Sequence, residues 1–161
     1  MSIPTDAEAG AQTDAGPDAG TGEAREFRVL VYATDPAVRE RVRMAVGRRP
    51  DAELGRIAYV EADSGEGVTR LVDAGGIDLC VLDGEAWPTG GLGISRQLKN
   101  EIRNCPAMLV MVGRADDAWL GSWSEADAVL QPPLDPVAAG AAVVRLLRAR
   151  AGLAPARADG G

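Results

Sequence analysis

Apolar positions along the chain switch repeatedly between a period of two and a period near 3.6. Residues 27–32 read as a strand. Asp35 and Pro36 then predict a helix, with an acid at the cap and proline in its first turn. Val38, Val42, Ala45 and Val46 recur along one face of it. Residues 57–61 read as a second strand, and a short helix with Val68, Leu71 and Val72 inward follows. Residues 77–82 are the third strand, and Ile94, Leu98 and Ile102 line one face of the next helix. Residues 107–112 are apolar throughout, which predicts a fourth strand and the most buried one. Residues 116–126 are ambiguous, because Gly121 weakens a helix there. Residues 128–130 give a short fifth strand, and Pro136 opens a last helix with Val137, Ala141, Val144 and Leu147 predicted inward. Strands alternating with helices predict an α/β fold: a five-stranded parallel sheet, order 2-1-3-4-5, with helices on both faces and right-handed crossovers.

Composition narrows this picture. A hydrophobic content of 46% is ordinary for a globular domain, and with only 4% aromatics the core must be aliphatic. Residues 1–24 hold Asp6, Glu8, Asp14, Asp18 and Glu23 and no basic residue. They are expected to be a disordered acidic tail, as are residues 151–161, leaving one domain over 25–150. The remainder is nearly neutral, so no basic stripe for nucleic acid is expected. No apolar stretch is long enough to span a bilayer and no signal-peptide pattern opens the chain, so a cytoplasmic location without membrane insertion is expected. Cys80 and Cys105 read as structural thiols. There is no histidine, which excludes a Ser-His-Asp triad, a His-Cys pair and a His-ligated metal.

Candidate chemistry is sparse. Asp83 ends the third strand, where open α/β sheets place their ligands. It reads either as a reactive carboxylate or as a strand-end acid bonded to nearby backbone N–H groups. Glu61 and Asp63 read as caps of the next helix together with Ser64, not as a catalytic pair. Gly90, Gly91 and Gly93 lack the Lys-Ser/Thr pair of a phosphate loop. Trp119 and Trp123 are four apart and share a helical face. That face either covers the edge of the core or forms a binding anchor. Trp87, just past Asp83, shields the pocket or meets a partner, and Pro132-Pro133 invites a cis peptide bond.

Three stretches together resemble the receiver domain of two-component response regulators, a CheY-like, flavodoxin-like fold. They are residues 29–39, residues 77–83 ending in Asp83, and residues 126–136. The resemblance implies a non-enzymatic signalling domain, with Asp83 as the phosphoacceptor for a histidine kinase and Mg²⁺ as cofactor. It also implies partner binding on the face made by the fourth helix, fifth strand and fifth helix, where Trp119 and Trp123 fall. More narrowly, residues 86–91 and 113–120 resemble atypical actinobacterial stand-alone receivers associated with the respiratory NADH-quinone oxidoreductase, whose subunits then become expected partners.

The departures from the family pattern are chemical. The two metal-binding acids after strand one are Ala33 and Thr34 here. The Ser or Thr after strand four is replaced within Met111, Val112 and Gly113, and the Lys after strand five by Pro132. Mg²⁺ prefers octahedral oxygen coordination, and a single carboxylate supplies little of it. Asp35 could reach a metal, although Asp-Pro reads better as a helix cap. Glu85 is expected to be solvated, and Arg114 could stand in as a cation or be a plain loop residue. The sequence therefore predicts an atypical receiver acting mainly as a protein-interaction module with a degenerate site. The alternative is a working phosphoacceptor.

Overall fold

A computed structural model describes residues 25–114, 119–131 and 133–154. The tail expected over 1–24 and most of that expected after 150 lie outside the described residues. Five strands form one sheet: β1 (Glu26–Tyr32), β2 (Arg56–Ala62), β3 (Leu79–Asp83), β4 (Ala107–Met111) and β5 (Ala128–Leu130). The order is β2-β1-β3-β4-β5, and every pairing is parallel. Five helices connect or follow the strands: α1 (Pro36–Val46), α2 (Gly65–Asp73), α3 (Gly91–Glu101), α4 (Leu120–Ser124) and α5 (Pro136–Arg150). None is long and apolar enough to cross a membrane.

Strand alternation divides the core into two halves. Val29, Val31, Leu79, Val81 and Leu109 point to one face, where Val42 and Val46 of α1 and Val143 and Leu147 of α5 cover them. Leu30, Tyr32, Cys80, Leu82 and Val110 point to the other, under Val68 and Val72 of α2 and Ile94 and Leu98 of α3. Caps start the helices where the sequence places them. Asp35 Oδ1 accepts from Ala37 N (2.9 Å), Ser64 Oγ from Gly67 N (3.0 Å) and Asp135 Oδ2 from Ala138 N (2.9 Å). Both cysteines are free, and burial pushes the Cys80 thiol up.

Two expectations change. The most buried strand is β3, not β4: Leu79 to Leu82 are all buried, whereas Ala107 and Met111 at the ends of β4 are only half-buried. β3 is the central strand, and centrality outweighs the longer apolar run. α5 turns Val144 and Leu147 inward as expected, but not the other two positions. Val137 is 79% exposed and Ala141 is also exposed, while Ala139, Val143, Val144, Leu146 and Leu147 turn inward. Two bonds join the end of α5 to the residues that follow it. Leu153 N donates to Arg148 O (2.8 Å), and Arg148 Nε to Ala154 O (2.6 Å).

The ambiguous segment holds a helix of one turn, and Gly121 is the reason it can sit there. A Cβ at Gly121 would lie 2.3 Å from Val129 Cγ2, so only glycine lets α4 pass this close to β5.

Candidate functional site

Alternation sends Asp83 to the same face as Leu79 and Val81, toward α1. The register sets Asp83 beside Met111, and Met111 beside Leu130. At the C-terminal end of the sheet these side chains open a cleft of ≈ 430 Å³. Val38, Arg41, Asp83, Glu85, Met111 and Leu134 are among its walls. A size of this order falls within the range of small-molecule clefts.

Asp83 is half-buried, and its Oδ1 accepts from Glu85 N (2.9 Å). No ion pair to it forms among the described residues. Burial raises its carboxyl above the usual carboxylate range. The Glu85 N–H bond opposes that shift, the charges of Glu85 and Asp35 add to it, and Arg41 pulls it back. Asp83 thus combines the two readings of the sequence: it bonds a nearby backbone N–H and it also faces a cleft.

The neighbours fall where the sequence places them, but several do other work. Ala33 is buried, and Thr34 Oγ1 donates to Trp87 O (3.1 Å), tying the end of β1 to the loop after β3. Tyr32 OH donates to Thr89 O (2.5 Å) in the same loop. Asp35 spends Oδ1 on its own helix cap. Glu85 is not simply solvated: its Oε2 accepts from Gly113 N (3.2 Å), and a Cβ on Gly113 would lie 2.5 Å from Glu85 Cδ. Met111 is half-buried against the cleft and Val112 is buried. Trp87 is 79% exposed and is not among the residues lining the cleft. A cis peptide bond joins it to Pro88. Pro132, with the peptide bond proposed for it, lies outside the described residues. Arg114 is exposed, beyond β4. The cation in the cleft wall is instead Arg41, one helical turn after Val38 and on the same face. The i, i+3 spacing of the two was the available signal.

Few side-chain donors for a magnesium ion gather at Asp83 among the described residues. Ala33 and Thr34 bring no carboxylate, Asp35 is committed to its helix, and Glu85 leans on Gly113. No group of three or more His, Cys, Asp or Glu side chains converges among the described residues. Asp83 alone leaves most of an octahedral shell to be supplied from elsewhere.

A second feature lies at the opposite side of the sheet from β2. Trp119 and Trp123 remain 68% and 47% exposed, the first as the N-cap residue of α4 and the second within it. The backbone of Trp123 and Ser124 is anchored from α3. Ser95 Oγ donates to Ser124 O (2.9 Å), and Arg96 Nη1 to Trp123 O (2.6 Å). The Arg96 guanidinium lies 5.0 Å from the Trp123 ring centroid. The expectation that both rings cover the core edge is not met for Trp119.

Comparison with known proteins agrees with this architecture. No protein-family model matches the chain. It is 50% identical over 135 residues to an uncharacterized response regulatory protein of Mycobacterium tuberculosis, found in strains H37Rv and CDC 1551. That match covers 84% of this chain and 98% of the relative. Among solved structures, the receiver domain of the Francisella response regulator 1452 superposes with a TM-score of 0.64 at 18% identity, over 76% of this chain and 98% of that one. The response regulator TrrA of Thermotoga maritima, in complex with Mg²⁺-BeF, gives 0.61 at 21% identity, over 74% and 98%.

Proposed function

We propose that this chain, which belongs to the response regulator receiver family, works chiefly as a protein-docking module with a degenerate phosphorylation site. We take its partner to be a subunit of the respiratory NADH-quinone oxidoreductase. The observation that carries this reading is the exposure of Trp119 and Trp123, the latter on a backbone fixed from α3. Large rings held in place lose little further entropy on binding, and tryptophan is enriched among interface hot spots. The cleft supports the same reading from the other side. Phosphoryl transfer onto a carboxylate depends on charge neutralisation. Around Asp83 the described chain offers Arg41 and no cluster of three or more acids, and the nearby Asp35 and Glu85 each accept a backbone N–H elsewhere. The identity of the partner rests on the resemblance of residues 86–91 and 113–120 to actinobacterial receivers associated with that complex.

The test is recovery of oxidoreductase subunits on the full chain, compared with W119A, W123A and D83N. A hot-spot tryptophan is worth about 2 kcal/mol or more, roughly a 30-fold loss of affinity. Recovery should collapse in both tryptophan variants and persist in D83N. Equal recovery in all four proteins removes the docking surface.

The alternative is phosphorylation of Asp83, and its half-buried position on the cleft wall favours that reading. Incubation with acetyl phosphate and Mg²⁺, followed by intact mass, decides it. A single phosphoryl adduct on the chain that is absent from D83N would displace the degenerate-site reading.

A further inference from the structure

β2 is an outer strand of the sheet. It pairs with β1 along all seven residues and with nothing on its other side among the described residues. Long open edges invite pairing with other chains, and proteins commonly cover or charge them. Between this edge and the last turn of α1 runs a groove of ≈ 560 Å³. Ile57 and Tyr59 lie along it, with Met44 on its rim, 75% exposed. Arg43, Arg48 and Arg56 supply its positive charge. Arg43 meets Glu61 (3.0 Å) and Arg56 meets Glu26 (3.5 Å). Neither Arg48 nor the adjoining Arg49 forms an ion pair among the described residues.

The chain enters the domain at one end of this groove. Arg56 N donates to Arg25 O (3.3 Å). Gly55, at φ +99°, lies so close that a Cβ there would come within 2.3 Å of that oxygen. Glu26, the next residue, already lines the groove. The preceding 24 residues carry five carboxylates and no basic side chain, and Glu23 stands two residues before Arg25.

We propose that the acidic segment 1–24 is the occupant of this groove, with Asp14, Asp18 and Glu23 as counter-ions for Arg48, Arg49 and Arg56. Charge, length and point of attachment agree. Seven strand residues span about 23 Å, whereas 24 residues can reach up to about 80 Å. A short tether holds the carboxylates at an effective concentration on the order of millimolar. The segment would screen the one long open edge and leave the opposite side, with Trp119 and Trp123, as the available face. This inference stands apart from the chemistry of Asp83 and from the identity of any partner.

The test is amide NMR on the full chain and on a full-length variant with D6N, E8Q, D14N, D18N and E23Q. Resonances of Met44, Arg48 and Tyr59 should shift in the variant, and edge amides of β2 should exchange at least several-fold faster. Full-length R48E/R49E should show the same loss of edge protection without any change in the segment. A synthetic peptide of residues 1–24 added to the neutralised variant should restore the original positions. Changes confined to residues beside Arg25 would overturn the proposal. So would shifts that fade on dilution, because they would assign the groove to the segment of a second copy. Equal exchange in all proteins would leave the groove to an external acidic partner and overturn it as well.

Discussion

The two ends of the sheet carry acids in opposite circumstances. At the N-terminal ends of the strands, Asp78 Oδ2 accepts from Arg28 N (2.9 Å) and Oδ1 from Arg25 Nη2 (3.4 Å). Asp127 Oδ2 accepts from Met108 N (2.8 Å) and meets Lys99 Nζ at 2.8 Å. Arg148, buried in the last turn of α5 at this same end, meets Asp51 and Glu53 at 3.3 Å each. Asp78 and Asp127, each just before a strand, thus take a backbone N–H of the neighbouring strand and a cation besides. At the C-terminal end Asp83 has one N–H, from two residues along its own chain, and no ion pair among the described residues. Acids of the first kind splice elements together. An acid of the second kind adds little to the fold, and its place on a cleft marks the functional end of the sheet.

The largest effect that would break this comparison is expected at Arg148. Its side chain is 10% exposed and that of Asp51 14%, so Arg148→Ala strands a nearly buried carboxylate. Removing one partner of a buried pair costs about 3–5 kcal/mol. A loss near the lower bound is expected by urea denaturation, because the Glu53 side chain is 78% exposed and contributes little. A loss below about 1 kcal/mol would mean that the N-terminal end is not held by its charges. Next comes Asp78→Ala, which leaves the part-buried Arg28 N–H without its acceptor at a cost of about 1–3 kcal/mol. Asp78→Asn keeps an acceptor oxygen and should lose less. Hydrogen exchange at the Arg28 amide should follow the same order.

Legibility in the sequence divides along the same line. The succession of strands and helices, the caps at Asp35 and Ser64, and the position of Asp83 follow from local patterns: alternation, Asp-Pro, and an apolar run ending in an acid. These are short-range properties, and the fold preserves them. What escaped depends on what packs above a residue. On α5, Val144 and Leu147 follow the helical spacing, whereas Val137 and Ala139 fit helical stripes about equally well and only their burial separates them. Arg41 escaped because a helix arginine beside a valine is ordinary until the strand register brings Asp83 up to it. Glu85 escaped because its partner is a backbone N–H at Gly113, 28 residues away.

The smallest and sharpest prediction concerns Asp83→Asn. Its carboxyl is raised above the ordinary value of 3.8, chiefly by burial. The folded chain therefore holds this proton more tightly than the unfolded chain does. The contribution to stability falls as pH rises from the unfolded value through the folded one, and the deficit persists at neutral pH. Asparagine carries no such charge and can still accept from Glu85 N. Thermal melts of the two proteins should coincide well below pH 3.8 and separate above it, with Asp83→Asn melting higher at pH 7 by an amount worth less than about 1 kcal/mol. The sign is opposite to that at Asp78, on the same strand's other end. A loss in Asp83→Asn at pH 7 comparable to that of Asp78→Ala would place Asp83 among the splicing acids and dissolve the distinction between the two ends.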